Sequence, residues 1–328
     1  MATVTPISRP AEAVTVRVPA KVNLQLSVGP LRADGYHDLV TVFHAVSLFD
    51  EVTVSPADRT SVTVTGEGGP AVPLTPANLA VRAAVALARA TGRAGGAGRG
   101  GARVRIEIRK RIPVAAGLAG GSGNAAAALV ACNELWGTGL SVAELSEIGA
   151  QIGSDVPFAL AGGTAVGLGR GERLTTALVS GSYHWVLAFG ATGLSTPDVY
   201  AACDRLRAAR GKGDDGPEVP APQLSTELMA ALRSGDPAAV GPLLTNDLQP
   251  AALSLQPLLR RALAAGNEHG ALGGIVSGSG PTCAFLAADA DAASDLAVAI
   301  TGAGVCRAVV QVTGPVPGAS IVEPGAPS

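Results

Sequence analysis

The stretch RVRIEIRKRIPVAAGLAGGSGNAAAALVACNELW, residues 103–136, decides the architecture. Its first part, 103–109, alternates Val or Ile with Arg or Glu, the pattern of a half-buried strand. Residues 124–136 are almost wholly apolar and read as a helix buried on all sides. Between them lies a loop of small residues: Pro113, Val114, Ala115, Ala116, Gly117, Leu118, Ala119, Gly120, Gly121, Ser122 and Gly123. Small residues let a backbone approach a ligand closely, and glycine reaches angles that aim successive N–H groups inward. A helix starting near Asn124 adds unpaired N–H groups and a positive dipole end, which suits phosphate. Ser122 can offer a hydroxyl to a phosphate or to Mg2+. The competing reading is a tight turn that packs a helix on a sheet.

Outward from this unit, 14–18, 22–28, 38–47 and 50–55 alternate as four strands, and 76–91 is an Ala/Leu/Arg helix. Ser141 and Glu144 have capping-box spacing. Strands are predicted at 163–169 and 184–190, helices up to 265, then strand, GSGP turn, strand, helix and strand over 273–313. The class is α+β in two domains, 1–174 and 175–313, with a Pro/Gly-rich tail at 314–328 expected to be disordered. The Gly/Arg run at 92–101 and the segment 210–222 are expected to be surface insertions.

Composition narrows the function. The chain has 328 residues, 24 Lys+Arg against 26 Asp+Glu and a net charge of −2, so no basic excess exists for nucleic acid or an acidic membrane. No apolar run approaches a membrane span, and four scattered cysteines make no metal-ligand or CxxC spacing. A cytoplasmic protein is expected. Aromatics are 3%, so the core must come from Ala, Val and Leu. Gly211-Lys212 is followed by Gly213, which excludes a P-loop. The literal dinucleotide fingerprint at 96–101 follows a helix and precedes a strand, the reverse of the required context. Gly-x-Ser-x-Gly, HExxH and EF-hand patterns are absent.

Further segments carry a resemblance. PAKVNLQL (19–26) with RADGYHDL (32–39), the loop IPVAAGLAGGSGNAAAAL (112–129), GSDVPF (153–158), STPDVY (195–200), NDL (246–248) and IVSGSGPT (275–282) together resemble the 4-diphosphocytidyl-2-C-methyl-D-erythritol kinases of the GHMP kinase superfamily. The resemblance implies a two-domain GHMP fold, with a ribosomal S5 domain 2-like first domain, a ferredoxin-like α/β second domain and the site between them. It implies transfer of the ATP γ-phosphate, with Mg2+, to the 2-hydroxyl of a methylerythritol carrying a cytidine diphosphate group, in the non-mevalonate isoprenoid pathway. The alternatives are another GHMP small-molecule kinase, for homoserine, mevalonate or a sugar, and a catalytically silent nucleotide-binding relative.

By position, the resemblance makes Asp155 the catalytic aspartate, whereas its local sequence alone favours a helix cap. Lys21 matches the motif lysine; against a plain surface role stands the use of Lys at only three positions, 21, 110 and 212. Asn23, on the same strand face as Lys21, is expected to contact substrate. Tyr36 and Tyr200 match the positions flanking the cytosine ring, and His37 is the candidate for base identity. Thr196-Pro197 reads as a helix start with Thr as cap, and Thr196 as a second-choice substrate contact. The turn at 277–281 is expected either to support the phosphate loop or to be a plain turn. Gly123 stands where the family has a second loop serine.

Overall fold

A computed structural model describes residues 13–93, 103–210 and 219–323. In chain order its elements are β1 (Val14–Leu31), β2 (His37–Pro56), β3 (Ser61–Gly66), α1 (Leu79–Ala90), β4 (Val104–Lys110), α2 (Gly120–Trp136), α3 (Val142–Ala150), α4 (Val156–Ala161), β5 (Thr164–Gly169) and β6 (Arg173–Thr176). There follow β7 (Tyr183–Phe189), α5 (Thr196–Arg210), α6 (Thr226–Ser234), α7 (Pro237–Val240), β8 (Thr245–Asn246), α8 (Gln249–Leu255), α9 (Leu258–Glu268), β9 (Gly273–Val276), β10 (Cys283–Ala287), α10 (Ala290–Gly302), β11 (Ala308–Gly314) and β12 (Ser320–Ile321). The first sheet runs β12-β1-β2-β4-β3, with β5 on β2, β6 on β5 and β8 on β1; the second runs β11-β7-β10-β9.

The four strands expected before residue 56 are two long antiparallel strands, β1 and β2. Register shifts at Pro19/Ala20 and Asn23/Gln25 let one strand serve two cores without breaking. Val14, Val16 and Val18 pack under α1 and α2, whereas Ala20, Val22 and Leu24 pack against Tyr183, Trp185 and Leu187 of β7. Residues 18–26 are therefore buried without interruption. The alternate residues Lys21, Asn23 and Gln25, on the opposite face of the strand, are buried as well.

The sparse aromatics have the expected consequence. α1 and α2 meet through Ala80, Ala83, Ala84, Ala125 and Ala128, all fully buried, with Val and Leu filling the rest. Small side chains let the helices approach closely. α1 is capped by Asn78, whose side chain accepts from the Ala80 amide, and the Ser141–Glu144 capping box makes both of its bonds. The second sheet carries Val186, Ala188, Cys283 and Phe285 toward α5, α8, α9 and α10.

Three expectations are corrected. The buried helix begins at Gly120, not near Asn124, so Gly120–Gly123 form its first turn. The tail is ordered as far as residue 323: β12 pairs with β1, and the Ala319 amide donates to the Ala159 carbonyl. A Cβ on Gly318 would lie 2.3 Å from the Leu160 carbonyl oxygen, so the glycine there marks close packing and not disorder. The expected boundary at 174/175 falls inside β6. Most of the two expected insertions, 94–102 and 211–218, lies outside the described residues, as does 324–328. Among the described residues no helix is long and apolar enough to cross a membrane.

Candidate active site

The loop after β4 is held from below and from the side. Ala115, Gly117 and Ala119 have φ of 51°, 78° and 59°, so two alanines as well as a glycine take the left-handed conformation. For alanine that costs roughly 1–2 kcal/mol per residue. The surrounding contacts over-determine it: the Thr282 amide donates to the Ala116 carbonyl, Leu194 N to Ala115 O, and Lys21 N to Leu118 O. The Ser277 hydroxyl donates to the Gly117 carbonyl at 3.1 Å. A Cβ on Gly117 would sit 2.1 Å from the Ser277 carbonyl oxygen. The turn at 277–281 therefore supports the loop, as one of the two sequence readings held. Asn246, in the NDL segment, ties that turn down by donating to the carbonyls of Val276 and Gly278, both at 2.7 Å.

Beneath the loop lies a closed polar cluster. Asp50 is fully buried and accepts from Lys110 Nζ (2.5 Å), the Arg111 and Ile112 amides (2.7 and 2.8 Å) and Asn124 Nδ2 (2.8 Å). It pins the end of β4 to the start of α2, so the loop between them has two fixed ends.

A cleft of about 840 Å³ opens above this loop. Along one wall it is lined by Pro113–Gly117, Ala119–Ser122 and Asn124, and along the others by Lys21, Asn23, Asp155, Tyr36, His37, Thr196 and Tyr200. Every sequence-predicted residue thus reaches this one cleft except Leu118 and Gly123. Leu118 is 1% exposed in the core, and Gly123 faces Val18 on β1, where a Cβ would make ordinary contact at 3.4 Å. The small residue at 123 lets α2 lie on β1.

Lys21 is 6% exposed; its Nζ donates to Asn23 Oδ1 (2.6 Å) and stands 5.6 Å from the Phe43 ring centroid. Asn23 in turn donates to Thr41 Oγ1 (2.8 Å), and Thr41 to the Gln25 carbonyl (2.7 Å). Burial pulls the Lys21 ammonium below its ordinary pKa, and the Asp155 charge opposes that pull. Asp155 stands at the N-cap position of α4, yet its side chain makes no capping bond. The cap reading fails, and the half-buried carboxylate is left facing the cleft.

At the other end His37 Nε2 lies 3.0 Å from Asp204 Oδ1, and its ring lies 5.1 Å from that of Tyr200 at 31°. Burial holds the Tyr200 phenol protonated, well above its ordinary range. Tyr36 is 52% exposed and pairs with the Arg170 guanidinium, 5.0 Å from its ring centroid. Thr196 is not a cap. It is the first residue of α5, and its hydroxyl bonds Ser279 Oγ at 2.9 Å across to the glycine turn. His44 is buried, bonds Thr164 and stays neutral with a pKa lowered to about 3 by burial. Sequence reading missed Asp50, Thr41 and Asp204, because each acts through a partner remote in sequence.

Comparison with known proteins gives consistent findings. A family model described as GHMP kinases N terminal domain matches residues 78–163, and one described as GHMP kinases C terminal matches 228–306. The chain is 58% identical over 309 residues to a 4-diphosphocytidyl-2-C-methyl-D-erythritol kinase of Mycolicibacterium smegmatis, covering 94% of this chain and 92% of the relative. It is 57% identical over 311 residues to the protein of that name from Nocardia farcinica, covering 95% and 97%. A crystal structure of 4-(cytidine 5'-diphospho)-2C-methyl-D-erythritol kinase superposes with a TM-score of 0.69 at 34% identity, covering 91% of this chain and 98% of that one. A homoserine kinase from Cytophaga hutchinsonii superposes at 0.70 with 19% identity, covering 97% and 100%, which speaks to the fold alone.

Proposed function

The chain belongs to the GHMP kinases, and from that premise we propose that it phosphorylates the 2-hydroxyl of 4-diphosphocytidyl-2-C-methyl-D-erythritol with ATP, giving the 2-phosphate and ADP. One observation carries the reading. The substrate segments at 19–26 and 32–39 and the glycine loop line the same cleft, in a chain 54–58% identical to proteins named for that reaction.

ATP lays its phosphates on the loop 113–123, where backbone N–H groups and the N-terminal end of α2 meet them. Asp155 positions the attacking hydroxyl and accepts its proton, and Lys21 keeps Asp155 ionised and steadies charge developing on the oxygen. Asn23, held by Thr41, sets the Lys21 ammonium. No covalent enzyme intermediate is needed, since phosphoryl transfer asks mainly for positioning and charge stabilisation. The cytosine ring lies against Tyr36 and Tyr200, with His37 reading the base and Thr196 at the substrate's flank.

Among the described residues no three acidic, His or Cys side chains cluster, so the protein offers no cage of its own for a metal. The Ser122 hydroxyl lining the cleft is an oxygen donor of the kind that suits Mg2+, an ion that keeps several waters and is held largely by substrate phosphates. Ser122, whose hydroxyl lies beside Gly153 near Asp155, would hold it. When bound, Mg2+ neutralises charge on the transferring phosphates.

A coupled ADP-release assay with ATP-Mg and a panel of acceptor alcohols tests the proposal. Turnover is expected with the cytidine diphosphate acceptor; turnover of homoserine or mevalonate in its place overturns it.

A further inference from the structure

The cleft holds three cations, and two have evident engagements. Lys110 is bound to Asp50, and Lys21 bonds Asn23 near Asp155. The third, Arg170, sits at the tip of the β5–β6 hairpin. Among the described residues no carboxylate lies within 4 Å of its guanidinium. Its backbone is built for that place. Gly169 and Gly171 on either side have φ of 74° and 100°, Gly171 N donates to the Leu168 carbonyl, and Arg170 N donates to the Glu172 carboxylate at 2.7 Å.

The hairpin's location gives the side chain its meaning. A Cβ on Gly171 would lie 3.3 Å from the Phe43 ring, and Phe43 lies under the Lys21 ammonium. On its other side the Arg170 guanidinium covers the Tyr36 ring at 5.0 Å. Arg170 thus stands between the reacting end of the cleft, marked by Lys21, and the base end, marked by Tyr36. In the proposed acceptor the diphosphate lies between the base and the reacting sugar alcohol. The guanidinium lies over the Tyr36 ring with no carboxylate paired to it among the described residues, so its N–H fork is available to phosphate oxygens.

We propose that Arg170 is a specificity-determining residue that binds the diphosphate of the cytidine diphosphate acceptor while bracing Tyr36 against the base. The inference rests on the acceptor proposed above.

The test compares wild type with Arg170→Gln, which keeps length and polarity but removes the charge. Loss of one charge-assisted contact should raise KM for the acceptor about tenfold. KM for ATP and kcat at saturating acceptor should stay unchanged. The decisive readout is the preference for CDP over cytidine as competitive inhibitors, which should shrink about tenfold in the variant. In wild type, added salt should weaken CDP but not cytidine. If CDP and cytidine weaken equally, or neither weakens, Arg170 only packs on Tyr36 and the proposal is overturned. Absence of acceptor turnover by wild type overturns the functional reading and this inference together. Wild-type turnover with an unchanged inhibitor ratio overturns this inference alone.

Discussion

Two buried lysines line the same cleft and differ in nearly everything else. Lys110 is 4% exposed, donates to Asp50 and to Asn124 Oδ1 (3.2 Å), and sits in a cluster where every polar group has partners. Lys21 is 6% exposed, donates to a neutral amide and, among the described residues, has no carboxylate within 4 Å. Its compensating charge, Asp155, acts from farther away. Lys110 is satisfied within the protein and serves as a strut between β4 and α2. Lys21 is buried with part of its charge unanswered, and a buried charge left under-paired is costly unless a ligand answers it. The same residue type is a fastener in one place and a reagent in the other.

The largest expected effect lies on the reagent side. Asp155→Asn and Lys21→Met should each lower turnover about 1,000-fold, the range for a lost acid–base group. Equilibrium binding of ATP and the circular dichroism spectrum should hold, because neither residue is a cap or a core strut. Wild-type-like turnover in either variant would erase the contrast with Lys110.

On the strut side the effect should appear in stability. Lys110→Met leaves Asp50 buried without its cation and should cost about 3 kcal/mol in chemical denaturation. Adding Asp50→Asn should recover part of that loss, since no uncompensated charge then remains. Additive losses in the double variant would mean that the two residues act separately.

The contrast also marks what the sequence could convey. The strand, loop and helix of 103–136, the capping box and the Ala-rich core were readable because each depends on neighbours a few residues away. Lys21 stood out through the rarity of lysine, and its burial was not legible. That burial depends on the Phe43 ring and on the turn at Gly278, more than 250 residues along the chain, closing over the ammonium. Asp50 carries no motif; its partners lie 60 to 74 positions away. Proline and glycine at 314–318 suggest disorder by composition, yet Gly162 bridges Pro317, and Gly318 lies against the backbone of Leu160. Only the folded context separates a glycine needed for close approach from one in a loose tail.

Gly117 links the two regions, because it fixes the loop that lies over Lys110 and docks on the turn beside Lys21. A Cβ on Gly278 of that turn would be 3.1 Å from Lys21 Nζ. Gly117→Ala must either move the Ser277 carbonyl or give up the left-handed angle. About 2 kcal/mol of stability should be lost in a thermal melt. KM for ATP should rise as well. A rise in acceptor KM alone would place the loop's role elsewhere.

The smallest effect is the one that separates the two lysines most sharply, because its sign is reversed. Burial lowers the folded-state pKa of Lys21 below its ordinary 10.5, so between those two values the unfolded chain binds more protons than the folded one. Stability associated with this group therefore rises with pH through that window and is lost as pH falls through the folded-state value. At neutral pH the buried ammonium is a burden. Lys21→Met, with an apolar chain set against Phe43, should stabilise the fold by about 1 kcal/mol, where Lys110→Met destabilises it. The melting temperature of Lys21→Met should exceed wild type by about 2 °C at pH 7, and the difference should narrow as pH climbs toward 10.5. The turnover of wild type should fall along the same alkaline limb as the ammonium loses its proton. A destabilised Lys21→Met would mean that Asn23 and Asp155 already answer the charge of Lys21 as fully as Asp50 answers that of Lys110.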